Sequence, residues 1–172
     1  MITKADIQLV RSLADKQART THQLFVAEGD KVVGEIVASK GWRISRLFVL
    51  EDSAVKAPYA ELVSPKEMER MSSFKSIPRS LAVVEMPVRK LLPAVADELV
   101  IALDEVQDPG NLGTILRTAD ALDVPVALLE GCADPYSHKV VRASMGAVLR
   151  VQPVQTGWEQ VRADCANAGI PL

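Results

Sequence analysis

An α/β fold is predicted for this chain of 172 residues, with 48% hydrophobic content to build a core. Short apolar runs such as LFVAE, RLFVL and LAVVE alternate with segments whose apolar residues recur at helical spacing. Turn residues separate the two kinds of segment. One stretch, Leu99 to Leu122, reads as a complete strand, turn and helix. The chain is long enough for two small domains, and we place them at 1–95 and 96–172.

In chain order, Thr3 to about Thr20 places Ile7, Val10 and Leu13 along one face, with Lys4, Arg11, Lys16 and Arg19 elsewhere. This basic amphipathic helix either lies along an RNA backbone or docks on its own domain. Leu24 to Gly29 reads as a strand. A helix follows from about Asp30 to Ser39, with Val33, Ile36 and Val37 inward and Gly41 as its terminator. Arg46 to Leu50 and Glu61 to Val63 are the next strands. Ser64-Pro65-Lys66-Glu67 is a helix start, with serine at the cap, proline in the first turn and glutamate three residues after the serine. That helix carries Met68 and Met71 and stops near Ser72, and Leu81 to Glu85 is a further strand. Met86 to Asp97 holds two prolines and reads as a linker, with the boundary near residue 95.

Beyond the linker, Leu99 to Leu103 is expected as a buried strand. Pro109 and Gly110 mark a tight reversal, and Asn111 is placed to cap a helix whose apolar residues are Leu112, Ile115, Leu116, Ala119 and Leu122. Gly113 lets another backbone or a ligand approach the first turn. Arg117 points away from the apolar stripe; its plain reading is a surface residue paired with Asp120 at i+3. Strand-turn-helix units of this kind place ligand-binding groups beyond the strand's carboxyl end. Val126 to Leu129 is then a strand, and Ser137 opens a helix from His138 to about Ala147. Leu149 to Val154 is a strand, and Trp158 to Ala168 a helix with Trp158, Val161 and Cys165 inward and Gly169 as its stop. Ile170-Pro171-Leu172 looks like the opening of another strand.

Charge divides the chain. Residues 1–96 carry 15 Lys/Arg against 11 Asp/Glu, and residues 97–172 carry 5 against 11. The basic front half favours phosphate contact, because each neutralised phosphate releases counterions. Within it, the loop FKSIPRS sets Lys75 and Arg79 beside Phe74, able to hold phosphates and stack on a base, or to serve as a solubilising connection. In the second half Lys139 and Arg142 share a helix face, either gripping a phosphate or paired with Asp134 or Glu130. Two cysteines, Cys132 and Cys165, and two histidines, His22 and His138, give neither a disulfide framework nor a metal set, and no metal is expected. No apolar run reaches about 18 residues and the polar start has no signal-peptide core, so a cytoplasmic protein is expected.

The run DEVQDPGNLGTILRTADAL, followed by DPYSHKVVRASMGAVLRVQPV, closely resembles the first motif and adjoining region of the SpoU/TrmH family of the SPOUT class. These are RNA ribose 2′-O-methyltransferases that use S-adenosylmethionine. LFVAEGDKVVGEIVAS resembles the start of that family's substrate-binding domain, so the likeness covers nearly the whole chain. It implies a small amino-terminal α/β RNA-binding domain like those of large-subunit ribosomal proteins, followed by the first half of an α/β-knot methyltransferase domain. It implies catalytic roles for Asn111 and Arg117, an rRNA or tRNA substrate contacted by Lys75, Arg79, Lys139 and Arg142, and a homodimer when full-length. The family's arginine is credited with activating the ribose 2′-hydroxyl. A guanidinium with a pKa above about 12 is a poor base, so help from a substrate phosphate or a purely electrostatic role fits as well.

The sequence also departs from the family pattern. The later glycine/glutamate-rich and serine-leucine-asparagine motifs, which build the knotted cofactor pocket, do not occur in it, and Asp123 stands where the family often has glycine. The resemblance therefore implies the amino-terminal two thirds of such an enzyme. Its cofactor residues are expected beyond Leu172, and the chain is not expected to bind S-adenosylmethionine or turn over alone. Two other readings stand beside it: an RNA-binding module without activity, and a nucleotide-binding α/β protein whose DPGNLG turn cradles a phosphate.

Overall fold

The computed structural model describes residues 2–87 and 99–169. They fall into two compact units, one of residues up to Met86 with Tyr136–His138, the other of the remainder. The expected linker beyond Pro87, the boundary near residue 95 and the strand opening at Ile170 lie outside the described residues.

The first unit begins with two helices, α1 (Lys4–Ser12) and α2 (Lys16–His22), where the sequence suggested one. Asp15 divides them: its carboxylate accepts from the backbone N–H groups of Gln17 and Ala18 and starts the second helix. Then come β1 (Leu24–Glu28), α3 (Asp30–Ala38), β2 (Ile44–Val49), β3 (Glu61–Leu62), α4 (Pro65–Met71) and β4 (Ser80–Glu85). The sheet order is β1-β4-β2-β3, with β4 antiparallel to both neighbours and β3 parallel to β2.

Local signals explain most of this unit. Ser64 and Glu67 form the reciprocal capping box, with Pro65 at the first helical position. Gly41 does not end α3, which stops at Ser39 in extended conformation, and the residues buried from α3 are Val32, Val33 and Ile36. Helix α1 docks on its own domain: Ile7, Val10 and Leu13 join Phe48, Met68, Met71, Leu81 and Val83 in one core cluster. Arg46 then ties α1 to the sheet, reaching Asp6 at 2.6 Å and Glu61 at 2.6 and 3.0 Å while its guanidinium lies over the Phe48 ring.

The second unit contains β5 (Ile101–Leu103), α5 (Pro109–Leu122), β6 (Val126–Leu128), α6 (His138–Ala143), α7 (Ala147–Val151), β7 (Val154–Gln155) and α8 (Trp158–Ala168). Its three strands are all parallel in the order β5-β6-β7, with α5 in the crossover from β5 to β6. The central β6 is buried throughout, but β5 is not the buried strand expected: Ala102 is exposed and Leu99 lies outside it, 66% exposed.

Leu149 to Val151 form the end of a helix, not the start of a strand. Gly146, at φ 91°, turns the chain into α7, and Ala147, Val148 and Leu149 are all buried there. The alternation of Leu149, Val151 and Val154 with polar residues suggested a strand, but so short a pattern is overridden by the turn at Gly146 and the burial of Ala147 to Leu149 as a helix. Helix α6 likewise stops at Ala143, before the expected Ala147. Val161 and Cys165 pack on Ala127, Leu129 and Val154, but Trp158, at the first turn of α8, is 48% exposed. Gly169, at φ 70°, ends α8 as expected.

Candidate active site on helix α5 and the ends of the parallel strands

Helix α5 starts three residues earlier than its sequence suggested. Asp108, not Asn111, is the N-cap: its carboxylate accepts the Asn111 backbone N–H at 2.7 Å. Pro109 and Gly110 make no reversal; they are the first helical residues, the position where proline's missing N–H costs nothing. Asp-Pro at this point is itself a helix-start signal. With the capping role taken, the Asn111 side chain is exposed and makes no hydrogen bond to another described residue.

Leu112, Leu116 and Ala119 bury the inner face of α5, whereas Leu122 is 63% exposed and leaves the expected stripe. Gly113 meets a backbone. A Cβ there would stand 2.5 Å from the Ala143 Cβ and 2.8 Å from the Ala143 carbonyl carbon and the Ser144 nitrogen. The end of α6 thus presses on α5 where only glycine fits.

Arg117 is exposed, as predicted, but its expected partner is taken. Asp120 is held by Arg150 of α7, through Nε at 2.9 and 3.0 Å and Nη2 at 2.7 Å. No hydrogen bond or ion pair joins Arg117 to another described residue. Asn111 and Arg117 share α5 but not one face: six residues separate them by about 9 Å of rise and about 120° of rotation. Lys139 and Arg142 lie exposed on α6, the helix whose last residue packs against Gly113.

The carboxyl ends of the three parallel strands frame an open cleft of about 720 Å³ lined by Ala102, Asp104, Leu129, Glu130, Gly157 and Trp158 with Glu159. Beside it the backbone is strained. Glu105 sits at φ 52°, and a Cβ on Gly131, at φ 78°, would lie 3.0 Å from the Glu105 Cγ. The sequence places ligand-binding groups beyond the carboxyl end of β5, as found; it does not give the share of the cleft that comes from β6, from β7 and from a tryptophan assigned to the core.

In the first unit the loop carrying Lys75 and Arg79 is fastened at both ends. Glu28 accepts from the Ser72 hydroxyl and from the Ser73 backbone N–H, the latter at 3.1 Å. Asp30 accepts from the hydroxyls of Ser80 and Ser53 at 2.6 and 2.9 Å and from the Ala54 backbone N–H at 2.7 Å. Burial pushes the Asp30 carboxyl up, but the Ser80, Ala54 and Ser53 donors and the Arg79 charge outweigh it and hold the group below its ordinary value. Lys75 is exposed, and Arg79 pairs with Asp52 at 3.2 Å on the open surface, where such a pair is weak. Among the described residues no group of three His, Cys, Asp or Glu is placed to hold a metal, and no helix is long and apolar enough to cross a membrane.

Comparison with known proteins bears on both units. Residues 98–172 match the SpoU rRNA Methylase family, and residues 4–87 match the MRM3-like substrate binding domain. A TrmH-family structure from Porphyromonas gingivalis superposes with a TM-score of 0.87 at 38% identity, covering 99% of this chain and 70% of that one. The AdoMet-bound rRNA methyltransferase from Sinorhizobium meliloti gives a TM-score of 0.83 at 27% identity over 98% of this chain and 67% of that one. In sequence, the 23S rRNA (guanosine(2553)-2'-O)-methyltransferase RlmP of Bacillus subtilis is 29% identical over 151 residues, 84% of this chain. The chain spans 59% of the length of that relative.

Proposed function

The chain belongs to the SpoU/TrmH family of RNA methyltransferases, and from that premise we propose that it serves the transfer of a methyl group from S-adenosylmethionine to a ribose 2′-hydroxyl of ribosomal RNA. One observation carries the reading: Arg117 stands exposed, with no ion-pair partner among the described residues, on the helix that follows the first parallel strand, and the resemblance of its motif implies the reaction-centre role for it. The Bacillus relative's name, a 23S rRNA 2′-O-methyltransferase, supports the substrate class.

S-adenosylmethionine supplies the methyl group. The described residues match this cofactor only in charge: Asp104, Glu130 and Glu159 would suit its cationic centres, but the cleft they line is open and gives the adenine no enclosing cradle. No step is therefore assigned to those residues. Transfer needs the 2′-oxygen in line with the methyl carbon, on the side opposite the sulfur whose bond breaks, so the protein's contribution is placement and charge. A guanidinium that stays protonated acts best by holding an anionic oxygen, either a substrate phosphate or the oxygen losing its proton. The Asn111 amide, free of capping duty, offers a donor and an acceptor to the same RNA. Lys75 and Arg79 on the fastened loop, and Lys139 and Arg142 on α6, contribute phosphate contacts. A homodimer and a cytoplasmic setting complete the proposal.

The test is transfer of labelled methyl to ribosomal RNA by a catalytically complete protein carrying these residues, with Arg117→Ala beside it. The expected result is a loss of about 10²–10³ in kcat with RNA affinity nearly unchanged. Equal losses in rate and affinity would make Arg117 a binding residue. RNA binding with no methyl transfer would leave an RNA-binding module in place of an enzyme.

A further inference from the structure

Arg117 and Asp120 stand three residues apart on α5, the spacing at which side chains on a helix surface meet. Asp120 is the one carboxylate within that helix. It is turned instead toward α7, where Arg150 engages both its oxygens at 2.7 to 3.0 Å. Asp120 is the more sheltered partner, its side chain 23% exposed against 48% for Arg150. A guanidinium binding through two nitrogens fixes the plane of a carboxylate as well as its charge.

We propose that Arg150 is a positioning residue for Arg117: by occupying Asp120 it withholds the carboxylate nearest along α5 and leaves the Arg117 guanidinium its full charge for an anionic oxygen of the RNA. Without Arg150, Asp120 is freed to swing toward Arg117, and the exposed arginine becomes the surface ion pair that the sequence alone suggests. The proposal rests on the reading of Arg117 as the reaction-centre residue. The experiment reads Arg117 directly, so either can fail without the other.

The 172-residue chain is treated with phenylglyoxal, an arginine-selective dicarbonyl, and the rate of modification at Arg117 is followed by peptide mass. Arg150→Met, which keeps the aliphatic stem, should slow modification of Arg117 by about 1.5-fold to twofold, the range an i,i+3 ion pair supplies. The slowing should vanish at about 1 M salt, where such a pair is screened. Adding Asp120→Asn to Arg150→Met should restore the original rate, and Asp120→Asn alone should leave it unchanged. A purely structural role for the bridge predicts the opposite, since both single variants would then perturb α5 alike. Should Arg150→Met not fold, Arg150→Lys, a point charge without the fork, should give a smaller slowing of the same sign. An unchanged Arg117 rate in whichever Arg150 variant folds, or a slowing that Asp120→Asn does not reverse, would overturn the proposal.

Discussion

In the first unit β4 is buried along five of its six residues and paired on both sides, whereas in the second β5 pairs only with β6 among the described residues and leaves Ala102 exposed. The contrast extends to the backbone. Of the non-glycine residues at positive φ, Gln23 is in the first unit, while Glu105, Asp123, Met145 and Gln152 are in the second. The first unit fixes the loop between α4 and β4 with the satisfied carboxylates of Glu28 and Asp30, and fixes α1 to the sheet through Arg46-bridged Asp6. The second holds α5, the helix that carries Asn111 and Arg117, by its buried Leu112, Leu116 and Ala119, by the close backbone contact at Gly113 and by the Asp120–Arg150 ion pair, among left-handed residues whose strain the surrounding packing must sustain. A rigid platform and a tensioned site are different solutions to presenting cations, and each can be attacked separately.

The largest effect is expected at Gly113. Gly113→Ala sets a methyl group against the backbone of Ala143 and Ser144, which cannot move aside as a side-chain tip would. A cost of about 1–3 kcal/mol is expected, at the high end because the obstacle is main chain. Hydrogen exchange should show lost protection over 139–151 while β1, β2 and β4 keep theirs. Retained protection in α6 would mean that the contact is looser than its distances imply.

In the first unit, Asp6 makes stability depend on acid. Hydrogen bonds from the Thr3 hydroxyl and backbone N–H, both at 2.7 Å, and then from Arg46, lower the Asp6 carboxyl from 3.8 to about 2. A carboxyl depressed in the folded state contributes stability that is complete above its unfolded value and lost as pH falls toward the folded one. Stability should therefore drop between about pH 4 and pH 2, by about 1 kcal/mol given how near the surface the Thr3 bonds lie. Denaturant midpoints across that range would check it, with Asp6→Asn expected to flatten the Asp6 contribution. An equal drop in the variant would assign acid sensitivity to other carboxylates.

What could be read in advance follows the range of the interaction. The Ser64–Glu67 capping box, the Gly113 approach and the Gly169 stop involve residues close in sequence or a glycine whose absence of Cβ is itself the signal. Arg117's exposure came from helical periodicity in the same way. Missed were competitions between neighbouring signals: Asp108 displaced Asn111 as the cap, and Asp15 cut one amphipathic stretch into two helices. Invisible were the long-range pairings, Arg150 with Asp120, Asp30 with Ser53 and Ser80, and the part that β6, β7 and Trp158 take in the cleft whose place beyond β5 was expected. Periodicity tells which side of a helix is polar. It does not tell which polar partner arrives from elsewhere, and that decided whether Arg117 is paired.

The smallest effect compares one left-handed helix end in each unit. Asp123 closes α5 at φ 54° and Gln23 closes α2 at φ 52°. Glycine adopts this conformation without the steric cost that a Cβ brings, although it loses more freedom on folding. Asp123 makes no side-chain hydrogen bond to another described residue, so Asp123→Gly relieves strain and removes no contact. A gain of about 0.5 kcal/mol is expected, seen as a rise of one or two degrees in melting temperature. Gln23 differs, because its side-chain amide donates to the Thr20 carbonyl at 2.8 Å. Gln23→Gly surrenders that bond along with the strain and should come out near neutral. If both substitutions stabilise equally, the strain at α5 is ordinary helix-end strain; if Asp123→Gly stabilises and also lowers the phenylglyoxal reactivity of Arg117, the left-handed end is part of how α5 presents that arginine.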